Sequence, residues 1–99
     1  MTNQRILVVD DEKPIRDFVS RNLTARGFDV HNASNGLEAL AIFNTYSLDL
    51  IILDIMMPNM DGLETCRRIR QSSILPIIVL TALGEESDRV MALDAGADD

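Results

Sequence analysis

Leu50-Ile51-Ile52-Leu53-Asp54 decides the fold: four large apolar residues in unbroken succession, ending on an acid. A strand with one wet face alternates apolar and polar residues. Continuous apolarity therefore means that both faces are covered, as in a parallel sheet flanked by helices. The same grammar recurs on either side. Ile6-Leu7-Val8-Val9 runs into Asp10-Asp11-Glu12, and Ile77-Ile78-Val79-Leu80 runs into Thr81. A fourth block, Phe28-Asp29-Val30-His31, is partly polar and is expected at an edge of the sheet.

Between these blocks the period becomes helical. Ile15, Phe18, Val19 and Leu23 fall on one apolar stripe, with Pro14 suited to the first turn and Gly27 to the C-terminal cap. Leu37, Leu40, Ala41 and Phe43 or Asn44 mark a second helix, opened by Asn35 with Glu38 at capping-box spacing. A third is expected from Asp61, with Glu64 three residues on, burying Leu63, Cys66 and Ile69. A fourth is expected from about Glu85 to Ala95, burying Val90 and Leu93 and stopping at Gly96. Four β-α units in series predict an α/β, flavodoxin-like doubly wound parallel sheet of strand order 2-1-3-4, with right-handed crossovers. A fifth strand would lie beside the fourth. In such sheets ligands bind beyond the carboxyl ends of the strands, where the order reverses between strands 1 and 3.

Composition narrows the function. Ninety-nine residues, 46% hydrophobic and 25% charged, suit one globular domain. The apolar runs are too short to span a bilayer, and Met1 to Arg5 leads into a strand without the pattern of a secretory signal. Cys66 is alone, which excludes an internal disulfide and a cysteine-based zinc site. These features point to the cytoplasm. A net charge of −7 makes the chain a poor ligand for nucleic acid by itself.

The acids matter by position. Asp10, Asp11 and Glu12 follow strand 1, Asp54 ends strand 3 and Thr81 follows strand 4, and this fold makes those strands neighbours. Polar strand ends are ordinary where a sheet meets solvent, but that reading does not explain why the acids gather at the two strands flanking the switch point. Like charges so close need help to stay ionised, and a hard divalent cation with oxygen ligands, such as Mg²⁺, supplies it.

Val8-Val9-Asp10-Asp11-Glu12, the stretch from Leu53-Asp54-Ile55-Met56-Met57-Pro58 to Asp61-Gly62, Leu80-Thr81-Ala82 and Gly96-Ala97-Asp98-Asp99 together resemble the receiver family of two-component response regulators. The likeness is greatest to receivers that precede winged-helix DNA-binding domains, and it runs from Arg5 to Asp99. By this resemblance Asp54 is the phosphoacceptor and Asp11 binds Mg²⁺ directly. Asp10 reaches the metal through water, and the backbone carbonyl of Met56 completes the protein ligands. Thr81 is the switch hydroxyl, and small Ala82 allows close approach to the phosphoryl group. The resemblance also implies a sensor histidine kinase as phosphodonor, transcription as output, and DNA binding through a separate effector domain rather than through this chain. Pro58 and Gly62 read as loop-shaping residues, Glu12 equally as a residue approaching the metal or as a helix N-terminal charge, His31 as an ordinary strand residue and Cys66 as core. Met56, Met57 and Met60 read as gap-filling first and as surface packing for a partner second.

The family pattern has a lysine, then a proline, after strand 5. The sole lysine here, Lys13, stands beside the first acids instead. The expectation is a receiver domain over 1–99, incomplete at its C-terminus. The open edge of strand 4 and the bare sheet face would then favour homodimers or other self-association. Two other functions compete with this one. A Mg²⁺-dependent phosphatase with an aspartate nucleophile would carry a second aspartate at position 12, where Glu12 stands, and a lysine later in the chain, where this sequence has none after Lys13. A flavin- or nucleotide-binding module would carry a Gly- or Ser/Thr-rich loop after strand 1, where three acids stand.

Overall fold

The computed structural model describes residues 4–54 and 62–80. Its elements alternate: β1 (Arg5–Val9), α1 (Lys13–Ala25), β2 (Asp29–Ala33), α2 (Gly36–Thr45), β3 (Leu50–Asp54), α3 (Gly62–Arg70) and β4 (Ile77–Leu80). The strands form one sheet in the order β2-β1-β3-β4, all neighbours parallel. The partly polar block is the edge strand β2, which starts one residue later and ends two residues later than the stretch that the sequence suggested. The expected helix over 85–95 lies outside the described residues.

Alternation along the strands splits the core. Leu7, Val9, Ile51, Leu53 and Ile77 join Ala39 of α2 and Cys66 and Ile69 of α3 in one buried cluster. Each fully buried aliphatic side chain there contributes about 1.5–3 kcal/mol. Cys66 is core, as the apolar stripe of α3 predicts. Ile6 and Val8, also buried, belong to the other face of the pleat, where α1 packs on β1 and β2.

Local signals set the helix ends. Pro14 stands in the first turn of α1. At its other end Gly27 takes φ +94°, and the amides of Gly27 and Phe28 donate to the carbonyls of Thr24 and Leu23. That 5→2 and 6→1 pair is a Schellman cap, which calls for a residue that tolerates positive φ. At the start of α2 the Asn35 side chain accepts from the Glu38 amide at 2.9 Å. Glu38 reaches back to the amide and hydroxyl of Ser34 at 2.7 and 2.6 Å. The reciprocal half of this capping box therefore falls on Ser34 rather than on Asn35 itself.

The apolar stripe of α1 does not face the sheet. Phe18 is 67% and Ile15 40% exposed, and no residue of this helix is fully buried. Its half-buried positions are Arg16, Asp17, Val19, Ser20 and Leu23. Spacings of three, four and seven residues put Arg16, Val19, Ser20 and Leu23 on one face. The helix is thus rotated relative to the stripe, with Val19 and Leu23 shared by both. In α2, likewise, Leu37 is 58% exposed while Ala39 is buried.

Candidate functional site

Register brings the acids together. Val9 pairs with Leu53, so the residues that follow β1 emerge beside Asp54 at the end of β3. Asp54 in turn lies opposite Leu80, the last residue of β4. Asp10, Asp11 and Asp54 each place a carboxylate oxygen within 4.8 Å of the others. Asp10 is buried, Asp54 half-buried and Asp11 exposed, so the cluster opens to solvent on one side.

Asp10 is held at three points. Its amide donates to the Ala33 carbonyl at 3.1 Å, its Oδ1 accepts from the Glu12 amide at 2.9 Å, and its backbone carbonyl accepts from Arg16 Nη1 at 2.8 Å. Burial, the largest influence, pushes its carboxyl above the usual range, and the neighbouring Asp11 carboxylate adds to the rise. The Glu12 amide and the Arg16 guanidinium oppose it without cancelling it. A raised pKa in a converging set of carboxylates is the signature of charge held against its preference. A cation relieves it, and an all-oxygen donor set of this kind fits a hard divalent ion. The described residues therefore contain a cluster able to hold a metal.

Not every predicted site residue falls within the description. Met56, with its carbonyl, Thr81 and Ala82 lie outside the described residues, as do Pro58, Asp61 and the stretch 96–99. Gly62 opens α3 and is buried. Lys13 is turned to its own helix, its Nζ 2.5 Å from Asp17 Oδ2. His31, read from the sequence as an ordinary strand residue, stacks on Tyr46 with ring centroids 4.4 Å apart. Arg16 escaped the sequence reading. Its position three residues before Val19 and seven before Leu23 was the available signal.

Comparison with known proteins agrees with this geometry. The family model of the response regulator receiver domain matches residues 6–99. The chain belongs to that family. It is a receiver domain of the two-component response regulators. It is 53% identical over 94 residues to the "Probable transcriptional regulator ycf27" of Cyanidium caldarium, covering 95% of this chain and 38% of that protein. It is 49% identical over 98 residues to the alkaline phosphatase synthesis transcriptional regulatory protein PhoP of Bacillus subtilis, covering 98% and 41%. The receiver thus spans about two fifths of the length of these curated relatives. Among solved structures, the receiver domain of the Francisella response regulator 1452 superposes with a TM-score of 0.91 at 37% identity, covering 98% of this chain and 81% of that one. The response regulator TrrA of Thermotoga maritima, solved in complex with Mg²⁺-BeF, does so at 0.85 and 42%, covering 96% and 82%. These matches bear out the fold class and the family that the strand-end motifs suggested. Among the described residues no helix is long and apolar enough to cross a membrane.

Proposed function

We propose that this receiver accepts a phosphoryl group on Asp54 from a sensor histidine kinase, with Mg²⁺ held by Asp10, Asp11, Asp54 and the Met56 carbonyl. The observation that carries the reading is the convergence of three carboxylates from β1 and β3 at the switch point of a receiver fold. A carboxylate oxygen of Asp54 forms a bond to phosphorus as the P–N bond to the donor imidazole breaks. The bonding pair stays on the imidazole nitrogen, and Asp54 becomes an acyl phosphate. Mg²⁺, when bound, neutralises charge on the phosphoryl oxygens. Asp10, its backbone held at two points and its Oδ1 bound by the Glu12 amide, keeps its carboxylate turned to the cluster. Asp11 reaches it from the solvent side. Thr81 hydrogen-bonds the new phosphoryl group and small Ala82 leaves it room, which biases the domain toward a second conformation.

The output of the whole protein is transcription control in the cytoplasm, a reading supported by relatives described as transcriptional regulators. DNA would be bound by a separate effector domain, since the receiver carries a net charge of −7. Self-association belongs to the same reading, supported by the exposed Ile74 and Ile78 before and on β4. Light scattering over a range of concentrations tests it. The receiver itself acts as a phosphoacceptor and assists only its own phosphorylation and dephosphorylation.

The test is phosphorylation of the full-length protein by a small-molecule phosphodonor with Mg²⁺, followed by intact mass. One added phosphoryl group of base-labile character is expected, and none in Asp54→Asn. Modification that persists in the variant would move the acceptor to Asp10 or Asp11. Steady turnover of a generic phosphate ester would favour the phosphatase reading instead.

A further inference from the structure

Arg16 stands on the sheet-facing side of α1, on one helical face with Val19, Ser20 and Leu23. Its Nη1 donates to the backbone carbonyl of Asp10 at 2.8 Å, in a partly buried bond. Its own amide donates to the Glu12 carbonyl at 3.0 Å. The same residue therefore ties the first turn of α1 to the last residue before the β1–α1 turn, with Asp11 and Glu12 enclosed between the two bonds. Those enclosed residues carry half of what the cluster needs. Asp11 supplies one carboxylate, and the Glu12 amide fixes the Oδ1 of another, that of Asp10.

Charge alone gives Arg16 no direct attraction for a cation. A guanidinium close to a cation site repels the cation, and it lowers the local negative potential that the three carboxylates create. The Arg16 charge reaches both Asp10 and Glu38, in each case favouring the ionised form. Beyond favouring the ionised carboxylates, whatever Arg16 contributes to metal binding comes from geometry and exceeds this electrostatic cost. We propose that Arg16 is a positioning residue for the Mg²⁺ site, its hydrogen bond to the Asp10 carbonyl holding the Asp10–Glu12 turn so that Asp10 and Asp11 converge on Asp54. The inference rests on the Mg²⁺ reading above. It adds to it a residue that touches neither metal nor phosphoryl group.

The sign of one measurement decides between geometry and charge. Mg²⁺ affinity is measured by calorimetry or amide chemical shifts on the wild-type protein, Arg16→Ala, Arg16→Met, Arg16→Lys and Asp11→Ala. Arg16→Met keeps the apolar stem over the sheet and loses both donor and charge, so it serves if Arg16→Ala does not fold. Positioning predicts that both Arg16→Ala and Arg16→Met weaken Mg²⁺ binding about tenfold or more, the usual loss when a ligand's supporting partner is removed. Arg16→Lys, which keeps a donor on a long stem, should recover most of that loss. Unchanged or tighter binding in Arg16→Met overturns the proposal, because tighter binding is what loss of a repelling charge alone produces. A lysine variant as weak as methionine overturns it as well. Failure of the underlying reading looks different: the wild-type protein would bind no Mg²⁺, or Asp11→Ala would bind it equally well.

Discussion

Carboxylates gather at both ends of this sheet, and the two gatherings behave in opposite ways. At the amino end Asp29 accepts from Arg5 Nε at 3.1 Å, Asp49 accepts from the Arg5 amide at 2.8 Å, and the Arg5 guanidinium lies 5.3 Å from the centre of the Tyr46 ring. His31 adds its Nε2 3.7 Å from Asp29. Each acid there has a cationic or N–H partner, and the cluster ties β1 to β2 and to the approach to β3. At the carboxyl end Asp10, Asp11 and Asp54 each bring one carboxylate oxygen within 4.8 Å of the others, and although Asp10 accepts from the Glu12 amide, burial and a like neighbour push its carboxyl upward. Acids matched by donors in the fold are structural. Acids crowded together at a switch point carry negative charge that the Glu12 amide and Arg16 offset only in part for Asp10, and a cation can offset the rest.

The comparison breaks most completely at Asp54. Its replacement by asparagine should abolish phosphoryl incorporation, read by intact mass, while Asp29→Asn leaves incorporation at the wild-type level. Next comes metal affinity. Asp11→Ala should weaken Mg²⁺ binding at least about tenfold, since losing a ligand costs no less than losing its support. Asp49→Ala should leave binding unchanged.

Stability sharpens the contrast in sign. The Asp10 carboxyl has a folded-state pKa above its unfolded value, so the folded state holds its proton longer. Without Mg²⁺, stability from this group is present below the unfolded pKa and falls as pH rises through the folded pKa. Asp10→Asn removes that penalty while keeping an oxygen for the Glu12 amide. It should therefore raise the metal-free Tm at neutral pH by a few degrees, at about 4–8 °C per kcal/mol in a domain of this size. The same variant should flatten the pH dependence and shrink the rise in Tm on adding Mg²⁺. Thermal scans across pH, with and without the metal, check all three. A metal-free Tm that falls in Asp10→Asn would count against a strained carboxylate.

The smallest effect is expected at the amino end. Arg5 and Asp29 are partly exposed, so Arg5→Met or Asp29→Asn should cost no more than about 1 kcal/mol, the usual scale for such pairs. That loss should shrink further in high salt. Denaturant midpoints at two salt concentrations measure it, and Mg²⁺ affinity should be untouched.

How much of this was legible in the chain depends on what each signal needs. The sheet was legible because continuous apolar runs such as Leu50–Leu53 are incompatible with a wet face, whatever surrounds them. The edge position of β2 was legible because Asp29 and His31 interrupt its run. Asp10, Asp11 and Asp54 were legible as a set because parallel strands all end on the same side, so the residue after each run belongs to one rim. The caps at Gly27 and Asn35 were legible because a cap is a contact within one turn of chain.

What the sequence could not determine was direction. The stripe of Ile15, Phe18, Val19 and Leu23 says that α1 has an apolar side. The angle at which that side meets the sheet is decided by packing, which leaves Phe18 facing solvent and polar Arg16 facing inward. Tertiary structure alone pairs Val9 with Leu53, buries Asp10 and leaves Asp11 exposed. Residue type and spacing name the groups that carry charge. Only packing fixes how far apart those charges stand and how much water reaches them, and those two quantities turn a row of acids into a place for a cation.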